Sequence, residues 1–184
     1  MRLFTALDLP PEVVGKLEDL LRHLKPLARI NWIPPSNLHI TTKFIGEWPE
    51  ARLEELKSAL HAVLPSRKPI AVEVRGLGFF PNARSPRVFW CGIEAPGLAE
   101  LAAGLDQACG DLGVPRETRP FSPHLTLARI KERPNLEPLH HAVASLPDTR
   151  FGSFRADSFF LYRSQLNPKG SVYTKLSEFP FPRE

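Results

Sequence analysis

Two short stretches carry side chains able to move protons at a phosphate: His39-Ile40-Thr41 and His124-Leu125-Thr126. Both read His-apolar-Thr, and they stand 85 residues apart in a chain of 184. Imidazole titrates near neutral pH, so one ring can take a proton while another, protonated, gives one. Phosphoryl transfer at a ribose needs that division of labour. A base deprotonates the attacking oxygen, and an acid protonates the leaving oxygen on the opposite side of phosphorus. In a strand, residues two apart share a face, which places Thr41 beside His39 and Thr126 beside His124. Their hydroxyls suit the non-bridging phosphate oxygens.

Other chemistries explain the pair less well. Zinc takes three or four protein ligands, and no Cys, Asp or Glu stands beside either histidine within its strand. There is no nucleophile elbow and no Walker-type phosphate loop. A single His-x-Thr among six histidines carries little weight, since either motif alone reads first as a packed strand whose His and Thr are bonded within their own half. The remaining histidines, His23, His61, His140 and His141, fall on helical segments and read as solvated.

The elements that must position the motifs repeat. At an offset of 85, Arg2-Leu3-Phe4 falls on Arg87-Val88-Phe89, Pro11 on Pro96, Leu20 on Leu105, Pro35 on Pro120 and Ile45 on Ile130. Each half reads strand, helix, His-x-Thr strand, helix, strand, over approximate repeats 2–80 and 87–165 of a single domain spanning 1–184. A duplicated unit commonly packs about a pseudo-two-fold axis, which would bring His39, Thr41, His124 and Thr126 to a shared cleft. Strict alternation along the second motif strand sends Leu125, Leu127 and Arg129 to the other face unless the strand bulges; along the first it groups Phe44 with Ile40 and Thr42. The spacing predicts helices from Val13 to Leu24, from Glu50 to Leu64, from Pro96 to Leu112 and around Leu139–Leu146. The tail reads as two runs, Arg150–Tyr162 and Ser171–Phe179, joined by an Asn167-Pro168-Lys169-Gly170 turn.

Composition narrows the class further. A hydrophobic content of 42% and a charged content of 24% are ordinary for a globular domain. No apolar run approaches the roughly 20 residues that span a bilayer. The first residues turn charged too soon for a signal peptide and read as a strand. Two cysteines, Cys91 and Cys109, lack metal or framework spacing and read as free thiols of a cytoplasmic protein. The net charge of +4 favours anionic partners, nucleic acid included. The 20 prolines fall at element boundaries, as rigid turns.

Three segments carry a resemblance. Arg2-Leu-Phe-Thr-Ala-Leu, Asn37-Leu-His-Ile-Thr-Thr-Lys-Phe-Ile-Gly-Glu47 and Arg119-Pro-Phe-Ser-Pro-His-Leu-Thr-Leu-Ala-Arg129 are similar to the 2H phosphoesterase superfamily, and within it to the RNA 2′,3′-cyclic phosphodiesterases once called 2′-5′ RNA ligases. The closing Leu161–Leu166 and Gly170–Leu176 segments fit as well. The resemblance implies an α+β, bilobal fold with two antiparallel sheets facing across a central cleft and helices outside. It implies metal-independent hydrolysis of RNA 2′,3′-cyclic phosphate ends to 2′-phosphomonoesters by a monomer without cofactor or membrane. His39 carries over as proton donor, His124 as proton acceptor, Thr41 and Thr126 as phosphate ligands, and Arg129 as a phosphate-neutralising residue. The alternative for Arg129 is a surface or packing role, which the alternation favours. RNA 2′-5′ joining or cleavage, tRNA halves or small cyclic nucleotides as substrates of the same site, and a non-catalytic RNA-end module stay open. The family mostly has Leu where this chain has Thr42, a core position where a small stability cost is expected.

Beyond the phosphate, Phe44, Trp48, Phe80 and Phe121 lie near the motif strands and read either as base-stacking or as core residues. Lys43 reads either as a contact to the RNA backbone or as an edge-strand lysine that keeps the sheet soluble.

Overall fold

Among residues 1–183, which the computed structural model describes, nine antiparallel strands form two sheets covered by four amphipathic helices. The first sheet has the order β3-β1-β8-β9, from Ile40–Glu47, Arg2–Leu7, Ser158–Asn167 and Gly170–Pro180. The second has the order β2-β6-β5-β4-β7, from Asn31–Trp32, His124–Arg129, Val88–Glu94, Ile70–Phe80 and Arg150–Ala156. The helices are α1 (Pro11–Leu24), α2 (Leu53–His61), α3 (Leu98–Gly110) and α4 (Glu137–Ala144). Pro11 starts α1, where a missing N–H costs nothing, and Leu17, Leu20, Leu21 and Leu24 give it one buried face.

The two halves of the chain exchange elements. β1 lies between β3 and β8, and β5 lies between β6 and β4. The last strand of each half, β4 in the first and β8 in the second, therefore crosses to the sheet built by the other. The helices cross too: α1 follows β1 yet packs on β7, while α3 follows β5 yet packs on β3. Gly152 in β7 permits the first crossing, because a Cβ there would meet Val13 Cγ2 of α1 at 3.0 Å. One continuous core results, with Leu17, Leu21, Phe89, Leu101, Leu105 and Phe159 almost wholly removed from water.

The run Arg150–Tyr162 is two strands rather than one. Asp157 separates β7 from β8, and the chain changes sheet there; its carbonyl accepts the Phe181 N–H at 2.8 Å and its carboxylate accepts Arg155 Nε at 3.0 Å. The β8–β9 hairpin turns at Pro168-Lys169, with Asn167 opposite Gly170. Cys91 and Cys109 are buried and unpaired, and burial pushes their thiols up to about 12 and about 11. Among the described residues no helix is long and apolar enough to cross a membrane.

Candidate active site

The motif strands β3 and β6 run past each other at the seam of the two sheets, their Cα atoms coming within 8 Å. On the first strand, Ala6 pairs with Thr41 and Thr5 with Lys43, so β3 spends two residues where β1 spends one. The extra residue is Thr42, and the bulge turns the strand over. His39 and Thr41 face the cleft. Lys43 then points to the helix side, and Phe44 returns to the cleft, 54% exposed. Alternation groups Phe44 with the core and Lys43 with His39; the bulge reverses both.

The second strand has the same device. Trp90 pairs with Thr126 and Phe89 with Ala128, which leaves Leu127 as the extra residue. Leu127 and Ala128 are both buried, and Arg129 comes back to the face of His124 and Thr126, exposed. Uninterrupted alternation sends Arg129 away from the cleft; the bulge corrects that.

Each imidazole is held by the backbone two residues before it. His39 Nδ1 lies 2.7 Å from the Asn37 carbonyl, and His124 Nδ1 lies 2.8 Å from the Ser122 carbonyl. A carbonyl only accepts, so Nδ1 carries the proton in both rings and Nε2 is the nitrogen left without a backbone partner. His39 Nε2 is 2.8 Å from Thr41 Oγ1, whose hydroxyl donates to it when the ring is neutral. Asn37 also fixes the neighbouring hairpin, with its Nδ2 donating to the Ser171 carbonyl at 2.9 Å.

The two rings sit in different surroundings. His39 is half-buried, stacked on Phe4 with centroids 4.8 Å apart and met edge-on by Tyr173 at 5.2 Å. Burial holds its pKa below the ordinary 6.5; the Asn37 carbonyl and the negative charge of Asp8 oppose that, and the positive charge of Arg129 adds to it. Arg129, on the second sheet, is thus within electrostatic reach of His39 on the first. Phe4 stacks in turn on Tyr162 at 5.3 Å, and the Tyr162 hydroxyl donates to Asp8 Oδ1. Burial, the Asp8 hydrogen bond and the Asp8 charge all raise the Tyr162 pKa, which keeps it a donor. Lys175 Nζ donates to Asp8 Oδ2 at 2.5 Å and rides over the Phe160 ring at 3.8 Å. His124 is exposed by contrast.

Several expectations change. Lys43 lies on the edge strand β3 but is 3% exposed, so it neither faces the cleft nor covers that edge toward water; its ammonium donates to Asp106 Oδ1 at 2.8 Å and to the Pro115 carbonyl at 3.0 Å. Trp48 is a core residue, its indole N–H donating to the Arg52 carbonyl at 2.9 Å. Phe80 is 51% exposed, whereas Phe121 is partly buried against the core. His140 is not solvated but half-buried against Phe79, with centroids 4.5 Å apart. Among the described residues no group of three or more His, Cys, Asp or Glu side chains is placed to hold a metal ion.

The residues around His39 that sequence reasoning missed are Asp8, Tyr162, Tyr173 and Lys175. Asp8 is placed by the β1–β3 register, one step beyond the Leu7–Ile40 pair, which sets it opposite His39 and leaves no local mark in the sequence. The others come from β8 and β9, and only the exchange of strands between the sheets brings them there.

Duplicated antiparallel sheets that set two His-x-Thr strands at one seam define a two-lobed phosphoesterase. The chain belongs to the LigT-like phosphoesterase family, whose model matches residues 7–90 and 93–173. Within that family, a Thermus thermophilus protein named RNA 2′,3′-cyclic phosphodiesterase is 36% identical, covering 97% of this chain and 89% of the relative. The crystal structure of TT0787 from Thermus thermophilus superposes with a TM-score of 0.83 at 36% identity, covering 98% of both chains. The structure of E. coli LigT complexed with 3′-AMP matches with a TM-score of 0.78 at 27% identity, covering 98% of this chain and 97% of that one.

Proposed function

We propose that the protein hydrolyses the 2′,3′-cyclic phosphate at an RNA end to a 2′-phosphomonoester, without a metal ion, by paired-histidine catalysis. The observation that carries this reading is the matched presentation of His39 and His124. Each donates Nδ1–H to the carbonyl two residues earlier and has its threonine two residues later on the same face. The curated relatives named RNA 2′,3′-cyclic phosphodiesterase support the substrate.

In this mechanism His124 Nε2 takes a proton from water as the water oxygen attacks phosphorus. The P–O3′ bond breaks on the far side, and His39 Nε2–H gives its proton to O3′. Thr41, Thr126 and Arg129 bind the non-bridging oxygens. The exposed ring is the one that meets water. The buried ring takes up its proton with the substrate, because the phosphate anion adds to Asp8 in favouring the imidazolium. The buried, unpaired thiols are consistent with a reducing, cytoplasmic setting.

Product analysis tests the proposal. An oligoribonucleotide ending in a 2′,3′-cyclic phosphate is expected to yield a 2′-monoester, at the same rate with and without a chelator. H39A and H124A are each expected to lower kcat by roughly 10²- to 10⁴-fold. Unchanged turnover in either variant, a 3′-monoester product or loss of activity on chelation would sink it.

A further inference from the structure

We infer that Trp90 is the floor of a nucleobase subsite beside the motif strands; the inference deepens the functional reading above and rests on it. Trp90 pairs directly with Thr126, and its neighbour Gly92 pairs with His124. Directly paired residues of adjacent strands share a face, so the indole lies on the face of the sheet that carries the second motif. On its other side it pairs with Gly78 of β4.

That pairing lays the ring flat. A Cβ at Gly78 would sit 2.2 Å from Trp90 Cζ2 and 2.6 Å from Cη2, so the indole rests on the bare backbone there. Glycine inside a strand marks such a close approach. Two of the ring's neighbours on that face, Thr126 paired with it and Gly92 two residues along its strand, are small. Trp90 lines part of an open cavity of about 530 Å³ together with Gly92, Pro123 (the residue before His124) and the Arg75–Glu94 ion pair.

The other two tryptophans are packed differently. Trp32 donates its N–H to the Ala28 carbonyl and meets Phe89 edge-on at 6.0 Å, and Trp48 donates to Arg52. Among the described residues the Trp90 indole has neither a hydrogen bond nor an aromatic partner, and it is only half-buried. A large π-surface backed by glycine, facing a cavity next to a phosphate-facing histidine and threonine, fits the flat face of a base of any identity. Its source is either the nucleotide that bears the cyclic phosphate or the nucleotide 5′ to it.

Steady-state kinetics on three substrates decide this: a dinucleotide ending in a cyclic phosphate, the same with its terminal base removed, and the same with its 5′ base removed. On the intact dinucleotide W90A is expected to raise KM by roughly tenfold to a hundredfold with kcat little changed, and W90F to stay near the parent protein. G78A, whose methyl would lift the indole off the strand, is expected to behave like W90A. The W90A effect should vanish on the substrate lacking the stacked base, which identifies the source. A W90A KM within about twofold of the parent, or an equal loss on all three substrates, overturns the subsite. Inactivity of the parent protein on every substrate would instead refute the functional reading. The subsite is then decided by titrating a dinucleotide ending in a 2′-phosphate, which carries both candidate bases and should quench tryptophan emission in the parent and leave W90F unquenched; no quenching in the parent overturns it.

Discussion

Thr42 and Leu127 are equivalent residues of the two halves, 85 positions apart, and each is the extra residue of a β-bulge one step past its His-x-Thr. A bulge reverses which face the following residues occupy. The two bulges therefore return Phe44 and Arg129, themselves equivalent, to the cleft. A common backbone device thus presents an aromatic ring on one side of the site and a guanidinium on the other. The site is symmetric in its backbone and asymmetric in its side chains, which gives two near-identical histidines different neighbours.

Arg129 is expected to bind the phosphate. A charge-assisted hydrogen bond contributes about 1.5–3 kcal/mol, so R129Q should lower kcat/KM roughly tenfold to a hundredfold. R129K keeps the charge and loses the planar fork, and should fall between the two. Thermal melting should be unchanged in both, because the side chain is exposed. Kinetics of R129Q equal to the parent would return Arg129 to a surface role.

The pH profile separates the influences on His39. In the proposed mechanism His39 is the acid and must carry a proton, so kcat/KM should fall as pH rises through its pKa, and burial sets that limb below the ordinary 6.5. Asp8 favours the imidazolium; without its charge, in D8N, the pKa drops and the limb moves to lower pH. Arg129 disfavours the imidazolium; without its charge, in R129Q, the pKa rises and the limb moves to higher pH. The two variants should shift the limb in opposite directions. A shift in the same direction, or none with D8N, would separate Asp8 from the acid.

Thr42 is matched by Thr5: their hydroxyls lie 2.7 Å apart, 4% and 0% exposed. T42V should cost about 1–3 kcal/mol because it strands a buried hydroxyl on Thr5. The double variant T5V/T42V should recover most of that loss, since both polar groups are gone. Urea denaturation of the four proteins gives the coupling. Additive losses would mean that the threonines do not support each other.

The paired motifs, the duplicated order of elements and the β8–β9 hairpin were legible because they rest on spacing and turn residues. His39 and His124 stand at matched positions in the repeat, and each strand's first residues obey simple alternation. Alternation fails at Thr42 and Leu127, and a bulge leaves no mark in composition: Thr-Thr and Leu-Ala read as ordinary strand. Alternation consequently misplaces the residues just past the bulges, Lys43 and Phe44 on β3 and Arg129 on β6. The surroundings of His39 were hidden for another reason. Tyr162, Tyr173 and Lys175 reach it from strands more than 100 residues away, by an exchange between sheets that no local pattern encodes.

Lys43 and Asp106 form a buried pair that joins β3 to α3, with side chains 1% and 21% exposed and 2.8 Å apart. The partners are unequal. Removing Asp106 strands a cation with no route to water, left with the Pro115 carbonyl and the more distant, exposed Glu117 carboxylate at 3.4 Å. Removing Lys43 leaves a carboxylate that can still reach solvent. D106N should therefore destabilise the protein by about 3 kcal/mol, whereas K43M, close in volume and apolar, should cost clearly less. Burial acts to raise the Asp106 pKa, but the Lys43 and Glu117 hydrogen bonds and the charges of Lys43 and Arg116 outweigh it, and the carboxyl titrates below its ordinary value. A depressed carboxyl pKa contributes stability above the unfolded pKa of about 4 and loses it as pH falls through the folded one. The gap in melting temperature between the parent and D106N should accordingly narrow below about pH 4. K43M should keep the parent kcat/KM on RNA ends below its melting transition, because Lys43 lies behind the sheet; a raised KM in K43M would place the lysine in the cleft after all.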